Sequence, residues 1–235
     1  MPASYFDVDG TLVSTNLVHP TLFYLLNQQT PVQSAQKIGR ALWNAPRMAL
    51  AELRDRREFN ELLFSSYEGI SEDRLLLLAD EVFDNVLRRA LYPGAKELVA
   101  RCREQGDVVL ISGALDFLMK RLADHLGATH IIANRLEIKD NFATGRLLRP
   151  VVAGPEKARL VRDHAREHGH NLDDCFAYSD SYSDVPMLSV VGHPAAVNPD
   201  GRLARLAHVY SWPVFTLKKP RLESWKPPSF AGLLK

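Results

Sequence analysis

Asp7 and Asp9 are two carboxylates placed two residues apart near the amino terminus, where they could do chemistry together. They end an apolar, strand-like segment and are followed at once by Gly10, a residue that favours a turn. Alternate side chains of a strand share one face, so both acids can point at one reacting group. One could attack a phosphorus atom while the other transfers protons, and a divalent cation such as Mg²⁺ would offset their mutual repulsion. The segment therefore predicts a phosphoryl-transfer centre, with a plain strand ending in an Asp-Gly turn as the alternative.

A second pair of acids, Asp180 and Asp184, follows the strand-like run 175–178. On a helix that starts here, a spacing of four residues places both carboxylates on one face. Four acids converging on one point would be costly without a metal ion, and oxygen ligands suit a hard divalent cation. The alternative is a helix-capping Asp180 with Asp184 on the surface.

Ser112, Gly113 and Lys157 are candidates for binding an anion such as phosphate. Ser112 and Gly113 follow the apolar run 108–111 and are predicted to open the next helix, with a hydroxyl and backbone N–H groups facing the anion. Lys157 lies in the first turn of another predicted helix, where a lysine is unfavourable to the helix dipole unless an anion offsets it. A plain helix cap and a solvated lysine are the alternatives.

Short apolar runs, separated by amphipathic, helix-like stretches, organise the rest of the chain. The strand-like runs are residues 108–111, 130–133, 175–178 and 195–197, and the helix limits are marked by Pro93-Gly94 and Gly106, by Gly127, and by Gly154-Pro155 and Gly169. This alternation predicts an α/β fold, a Rossmann-like, doubly wound parallel sheet with helices on both faces. Ligands of such sheets bind at the carboxyl ends of the strands, where Asp7, Ser112 and Asp180 would meet.

Residues 16–91 break this rhythm, because strand signals vanish and leucines recur at helical spacing. We predict that they form a small all-helical cap inserted after the first strand, and that residues 1–15 and 92–235 form the α/β catalytic core. An insertion at this position emerges beside the carboxyl ends of the strands and could act as a lid. Helices that only pack on the sheet are the alternative.

Two further segments are predicted from local signals. Residues 134–149 contain the turn signals Asp140-Asn141 and Thr144-Gly145 between short apolar runs, which predicts a β-hairpin appended to the sheet. Residues 210–235 combine aromatic and basic side chains with several prolines, and packing against the core is favoured over contact with a membrane surface or a partner.

The bulk composition favours a globular protein that acts on a small molecule. The 235 residues are 46% hydrophobic with a formal net charge of +1, so no overall field favours nucleic acid or an anionic membrane. No run of about 18 apolar residues predicts a transmembrane segment, and no leader precedes the first strand, so a cytoplasmic location is expected. Cys102 and Cys175 belong to no Cys or Cys/His cluster and are expected to be buried free thiols. The oligomeric state stays open.

Taken in chain order, these motifs resemble the four motifs of the haloacid dehalogenase superfamily of phosphohydrolases, and the likeness extends to about Val209. The helical insertion directly after the first motif is similar to that of the phosphoserine phosphatase subclass. The resemblance implies that Asp7 is a nucleophile that forms an aspartyl-phosphate, and that Asp9 is first a general acid and then a general base. It also implies that Ser112 and Lys157 hold the phosphoryl oxygens.

The resemblance further implies a Mg²⁺ site. Asp180 would bind the metal together with the Asp7 carboxylate and the backbone carbonyl of Asp9, and Asp184 would orient these ligands or their water molecules. Ser183 stands where the family has an asparagine and would contact the phosphate or the substrate differently.

The sequence says less about the substrate. Residues 14–17 lack the acid with which phosphoserine phosphatases bind the substrate ammonium, which argues against phosphoserine. Arg54, Arg56 and Arg57 are expected on a solvated helix face, with contact between one of them and a second acidic group of the substrate as the alternative. The predicted function is Mg²⁺-dependent hydrolysis of a small phosphorylated metabolite. The alternatives are a phosphotransferase with the same intermediate and a non-catalytic binding or scaffold module of the same fold.

Overall fold

The computed structural model describes residues 1–27 and 30–218. Its strands are β1 (Ala3–Phe6), β2 (Asp107–Leu115), β3 (His130–Asn134), β4 (Leu136–Lys139), β5 (Phe142–Leu147), β6 (Phe176–Ser179), β7 (His193–Val197) and β8 (Val214–Phe215). Its helices are α1 (Val18–Leu26), α2 (Pro31–Arg54), α3 (Arg56–Ser65), α4 (Glu72–Val82), α5 (Arg88–Ala90), α6 (Ala95–Gln105), α7 (Asp116–Leu126), α8 (Pro155–Glu167), α9 (Val185–Leu188) and α10 (Gly201–Val209). A π-helical turn (Phe83–Leu87) joins α4 to α5, and 3₁₀ turns (Leu172–Asp174 and Tyr182–Asp184) flank β6.

Six strands form a sheet in the order β3-β2-β1-β6-β7-β8, and every neighbouring pair is parallel. Because β4 and β5 form a separate sheet, the six strands of the main sheet, numbered in chain order, follow the doubly wound order 3-2-1-4-5-6. The order reverses between β1 and β6, so a crevice opens at the carboxyl ends of these two strands. The predicted α/β fold is confirmed.

The two faces of the sheet bury alternate residues of the same strands. Phe6 of β1 and Leu110 of β2 belong to the apolar cluster that includes α6 and α7. Tyr5 and Ile111, their neighbours in sequence, belong to the cluster beneath α8, α9 and α10. These side chains are fully buried, and burying one such side chain contributes about 1.5–3 kcal/mol. The period of two along the strands therefore covers both faces with helices.

Predicted helix limits are confirmed where glycine or proline marks them. Gly127 ends α7 in the left-handed region with a φ of 78°, and its N–H donates to the carbonyl of Ala123. Pro155 occupies the first turn of α8, where its missing N–H costs nothing and its fixed φ suits a helix. Cys102 and Cys175 are buried free thiols, as expected.

Between the first two strands of the sheet, the regular elements of the described residues are helices, apart from isolated β-bridges. The chain leaves the sheet and returns to it side by side, because the N–H of Ser14 donates to the carbonyl of Ala90 at 2.7 Å. The N–H of Tyr92 donates to the carbonyl of Leu12 at 3.0 Å, which holds the two connections together. The division into a cap of residues 16–91 and a core of the remaining residues stays a prediction.

The β-hairpin forms where it was expected, but its predicted attachment to the main sheet is wrong. Asp140 and Asn141 adopt φ values of 49° and 64° in the turn, and β4 and β5 form a separate two-stranded sheet. The N–H of Ala143 donates to the carbonyl of Ile70, and the N–H of Gly69 donates to the carbonyl of Ala143. The free edge of the hairpin is therefore satisfied by the loop after α3 and not by the sheet.

The segment after α10 is largely exposed and contacts the core through Trp212, β8 and Leu217. β8 pairs with β7, and Trp212 packs against the cluster beneath α10. The sequence did not predict β8, because two residues carry no periodicity. Residues 219–235, which hold most of the basic aromatic segment, lie outside the described residues. Within the described chain, each helix is too short or too polar to cross a membrane.

Candidate active site

The loop after β1 places Asp7 and Asp9 at the crevice. Asp7 still belongs to the sheet, because its N–H donates to the carbonyl of Tyr178 on β6 at 2.9 Å. Gly10 then turns the chain with a φ of 84°. A Cβ at this position would overlap the carboxylate of Asp180, so glycine is required both for the turn and for the approach of the two segments.

Lys157 binds two of the acids. It lies in the first turn of α8 and is 5% exposed, so the solvated alternative is wrong. Its Nζ donates to Oδ1 of Asp7 at 2.6 Å and to Oδ2 of Asp184 at 2.8 Å. Burial alone lowers the pKa of Lys157, but the carboxylates of Asp184 and Asp7 together raise it above its ordinary value. Lys157 therefore stays charged and brings two strand ends together.

Asp180 and Asp184 meet in the same site, but they do not share a helix face as predicted. Asp180 lies in a bend after β6, and Asp184 ends the 3₁₀ turn Tyr182–Asp184, because α9 begins only at Val185. Asp184 is 3% exposed and also accepts a hydrogen bond from Oγ of Ser179 at 2.8 Å. The alternative of a surface Asp184 is therefore wrong.

Thr11 connects two of the acids and was not predicted as a site residue. Its Oγ1 lies 3.1 Å from Oδ2 of Asp7 and 3.3 Å from Oδ1 of Asp180, and its single proton can serve one of them at a time. Oγ1 also accepts a hydrogen bond from the N–H of Asp180. Its place two residues after Asp9 was the sequence signal that could have identified it.

Ser112 and Gly113 do not open a helix, which corrects the prediction. β2 continues through both residues to Leu115, and its pairing with β3 shifts in register after Ser112. Oγ of Ser112 donates to Oδ2 of Asp9 at 3.2 Å and accepts from the N–H of Ala114. Nδ2 of Asn134, the last residue of β3, donates to the carbonyl of Gly113 at 2.7 Å and holds this part of β2 against β3.

The electrostatics of the site favour protonated acids in the absence of a bound metal ion. Burial, together with the charge of Asp7, raises the pKa of Asp9 to about 7. Burial and the charges of Asp7 and Asp184 raise the pKa of Asp180 to about 8. Burial also raises the pKa of Asp7, although Lys157 opposes this shift. One lysine thus does not compensate these acids, and a further cation would be stabilised here.

A cavity of about 250 Å³ lies above these acids. The core contributes carboxylates, backbone and Ser183, whose Oγ lies 2.9 Å from Oγ of Ser181. The helical insertion contributes Glu52, Arg56 and Asn60. The full lining consists of Asp7, Asp9, Asn16, Leu17, Val18, Glu52, Arg56, Phe59, Asn60, Gly113, Val152, Ala153, Gly154, Lys157, Asp180, Ser181, Ser183, Asp184 and Asp200.

Three arginines of the helical insertion, Arg54, Arg56 and Arg57, have different surroundings. Arg54 and Arg56 are exposed, as expected for a solvated helix face, but Arg56 also lines the cavity. Arg57 is half-buried and lies 3.5 Å from the carboxylate of Glu156. The interpretation as a plain solvated face is therefore incomplete for Arg56.

Sequence reasoning did not identify Asn60 and Asn134. Asn60 is 2% exposed and donates weakly to the carbonyl of Val152 at 3.4 Å, and its Oδ1 has no hydrogen-bond partner among the described residues. Asn134 joins Gly113 to the N–H of Val152. Neither asparagine stands in a motif, so their positions depend on contacts between distant segments.

The fold and the site together define a class: a doubly wound α/β protein with an acid-rich site at the switch point of its sheet and a helical insertion after the first strand. The sequence matches the family described as haloacid dehalogenase-like hydrolase over residues 5–189. The chain belongs to this family.

Relatives of this chain have names related to phosphatase activity. The chain is 38% identical over 148 residues to "Phosphoserine phosphatase SerB1" of Mycobacterium tuberculosis, which covers 63% of this chain and 48% of that protein. It therefore spans about half the length of this curated relative. It is 30% identical over 227 residues to "Probable phosphatase Rv3661" of the same organism, with 93% of this chain and 76% of that protein covered.

A solved structure of a substrate-bound phosphoserine phosphatase complex has a similar fold. It aligns with a TM-score of 0.66 and 20% identity over 93% of each chain. At this identity the likeness concerns the fold alone.

Proposed function

We propose that this protein hydrolyses a small phosphomonoester, with Mg²⁺ and through an aspartyl-phosphate on Asp7. The observation that supports this most strongly is the buried ion pair between Lys157 and Asp7 on the cavity wall, with Asp9 beside it. This arrangement gives a nucleophile, a cation for the phosphoryl oxygens and a second acid that can carry a proton.

In the proposed reaction, an oxygen of Asp7 attacks phosphorus in line with the leaving oxygen, and the phosphorus–oxygen ester bond breaks. Asp9 gives its proton to the leaving oxygen, so the alcohol departs and Asp9 becomes ionised. Asp9 then takes a proton from a water molecule that attacks the aspartyl-phosphate, which releases phosphate and restores Asp7. A pKa of about 7 for Asp9 supports both directions of proton transfer near neutral pH.

The residues around Asp7 are suited to hold the transferred phosphoryl group. Lys157 already contacts Asp7, and Gly113 and Ser183 line the cavity next to it. Ser112 is fully buried and binds Asp9, so we propose that it orients that acid. Lys157, Gly113, Ser112 and Ser183 remain our proposed phosphate-binding residues.

The chemistry of the donor groups fits Mg²⁺. Asp7 and Asp180 offer carboxylate oxygens, Asp9 offers its backbone carbonyl, and hard oxygen ligands are those that Mg²⁺ prefers. The raised pKa values of these acids support the need for added positive charge. When bound, Mg²⁺ would neutralise negative charge on the phosphoryl oxygens. Asp184 would act indirectly, because it is bonded to Lys157 and Ser179.

We further propose that residues 16–91 form a cap that binds the substrate and determines its specificity. Glu52 and Arg56 are the charged side chains that the helical insertion brings to the cavity. A second acidic group of the substrate would bind Arg56, and an ammonium group would bind Glu52. Glu52 weakens the argument against phosphoserine. It supplies a carboxylate for the substrate ammonium, which residues 14–17 lack.

The test is phosphate release, with Mg²⁺ or with EDTA, from phosphomonoesters that differ in charge. Phosphoserine carries a carboxylate and an ammonium group, phosphoglycolate only the carboxylate, phosphoethanolamine only the ammonium group, and glycerol phosphate neither. Asp7→Asn and Asp9→Asn are compared with Asp124→Asn, an exposed acid on α7. We expect metal-dependent release that both site variants lose and the control keeps.

Other outcomes discriminate between the alternatives. Phosphate release that persists in Asp7→Asn would refute the assignment of Asp7 as the nucleophile. Transfer of phosphate to added alcohols in preference to water would identify a phosphotransferase. An absence of turnover with every ester, together with retained binding of inorganic phosphate, would support a non-catalytic binding module.

A further inference from the structure

Three histidines meet at the end of the sheet opposite to the candidate active site. His130 is the first residue of β3, and His164 and His168 lie at the end of α8. One potential ligand nitrogen from each residue lies within 4.8 Å of the other two. The rings of His164 and His168 stack with centroids 4.1 Å apart, and the ring of His130 lies 5.0 and 4.6 Å from them.

His164 has a ring nitrogen that nothing in the described protein satisfies. The residue is 8% exposed, its Nδ1 lies 3.2 Å from the hydroxyl of Tyr5, and its Nε2 is buried without a hydrogen-bond partner. A buried polar atom without a partner costs about 1–3 kcal/mol. A ligand for this nitrogen would remove that cost.

His168 also has a ring nitrogen that is available to a ligand. Nδ1 of His168 lies 3.0 Å from the backbone carbonyl of His164, which can only accept a hydrogen bond. Nδ1 therefore carries the proton, and Nε2 keeps its lone pair. A histidine that donates one ring N–H to a carbonyl and offers the other nitrogen is the usual arrangement around protein-bound metal ions.

We propose that His130, His164 and His168 form a binding site for a transition-metal ion, with Zn²⁺ as the ion that fits best. Imidazole ligands suit Zn²⁺ and its neighbours in the transition series, whereas Mg²⁺ prefers oxygen. Two histidines four residues apart near the end of a helix present their rings on one side, a spacing used in zinc sites. This site is separate from the proposed Mg²⁺ site.

The distances leave room for tetrahedral coordination. Zn²⁺–nitrogen bonds of about 2.0–2.1 Å place two ligand nitrogens about 3.4 Å apart, so each nitrogen must move by less than about 1 Å. The stacked rings of His164 and His168 must also rotate, so that their in-plane lone pairs converge on the ion. His168 is exposed, which gives the ion access from solvent and leaves a coordination position for water. Asp107 lies 3.4 Å from the neighbouring His170 and adds a negative charge close to the cluster.

A metal here would tie the end of α8 to the start of β3. Lys157, which holds Asp7, lies seven residues before His164 on the same helix, a distance of about 10 Å along its axis. We therefore infer a structural site that stabilises the fold and the helix that carries the active-site lysine, and not a second reaction centre.

The test uses the full chain without a histidine tag, freed of metal with EDTA, desalted and then supplied with excess Mg²⁺ to occupy oxygen-ligand sites. Titration with Co²⁺ is followed by the visible absorption typical of tetrahedral nitrogen coordination, and Zn²⁺ is then added as a competitor. We compare the native protein with His168→Gln and His130→Gln. His193→Gln is the control, because His193 is exposed and begins β7 at the same end of the sheet.

We expect about one equivalent of Co²⁺ to bind, Zn²⁺ to displace it, and Zn²⁺ to raise the unfolding temperature. His168→Gln and His130→Gln should each weaken binding by at least about tenfold, since loss of even an outer partner of a metal ligand costs 10–100-fold. His193→Gln should bind like the native protein. No binding, or binding equal in all four proteins, would overturn the proposal. Binding lost on Asp180→Asn and kept in His168→Gln would assign the ion to the carboxylate site and also overturn it.

Discussion

Lys157 is a buried cation that pairs with two acids of the site. A fully buried ammonium group is costly unless it is paired, and here it is shared between Asp7 and Asp184. The same two contacts connect α8 to the ends of β1 and β6. Lys157 is thus a structural link as well as a proposed phosphate-binding residue, and the structural link by itself predicts an effect of its removal on stability.

Lys157→Met should lower the free energy of unfolding of the metal-free protein by about 3–5 kcal/mol, because it leaves two buried carboxylates without their cation. Chemical denaturation measures the change. Lys120→Met, which removes an exposed lysine on α7, should change the stability by less than about 0.5 kcal/mol. Equal stability of the two variants would contradict the role assigned to the Lys157 ion pairs.

Arg56→Gln should act on substrates selectively. We expect it to raise KM at least about tenfold for phosphomonoesters that carry a carboxylate and to leave esters without one nearly unchanged, because a charge-assisted hydrogen bond contributes about 1.5–3 kcal/mol. Steady-state kinetics on the ester panel measure this. Arg54→Gln is the control, since Arg54 is exposed and does not line the cavity. A uniform effect of Arg56→Gln on all esters would argue against recognition of a second acidic group.

At the scale of elements, the loop after β1 and the bend after β6 are in direct contact. Gly10 adopts a φ of 84° and lies against the carboxylate of Asp180, and Thr11 bonds to the backbone and side chain of the same residue. The two segments therefore position each other, and a change in one should displace the acid carried by the other.

Gly10→Ala should lower kcat/KM at least about 100-fold, because the added Cβ would displace Asp180 and small misplacements of site groups have effects of this size. Gly127→Ala is a matched control, since Gly127 has a φ of 78° but open space around its Cβ position. Both variants should lose about 1–2 kcal/mol of stability from the left-handed backbone. Equal kcat/KM values of the two variants would contradict the proposal that the added Cβ lowers activity by displacing Asp180.

The elements differ in how far they follow from sequence. The strands on either side of the crevice and the helix limits at Gly127 and Pro155 were predicted, because periodicity, glycine and proline act over a few residues. The end of β2 was predicted too early, since its last residues are held by Asn134 from the next strand. The hairpin was predicted from its turn, but its docking on the loop after α3 depends on tertiary contacts.

At the scale of the whole molecule, the sheet has two chemically different ends. Its carboxyl ends carry acids around Lys157, and its amino ends carry the cluster of His130, His164 and His168. α8 reaches from one to the other. The two ends respond to pH in opposite ways, because buried acids with raised pKa values gain protons on folding, whereas a buried imidazole with a lowered pKa loses one.

In the metal-free protein, His164 should make the fold less stable in acid. Burial, with the charges of His168 and His130, lowers the pKa of His164 to about 4, so between about pH 6.5 and pH 4 the unfolded chain binds a proton that the folded chain does not. The contribution of neutral His164 to the free energy of unfolding is fully present above pH 6.5. It should fall by about 3 kcal/mol as the pH reaches 4. Denaturation of the native protein and His164→Gln across this range isolates the effect. If the free energy of unfolding changed with pH equally in both proteins, the assignment of this effect to His164 would be contradicted.

The sequence by itself determined the alternation of strands and helices, the family and the chemical type of the site, because each depends on residues that are close in the chain. Only the tertiary structure decided which side chains meet. Ser112 binds Asp9 across 103 residues, Thr11 lies beside Asp180 across 169 residues, and His130 joins the histidines of α8. Such contacts depend on the order of strands in the sheet and the packing of α8 upon it, and no local pattern in the chain encodes that proximity.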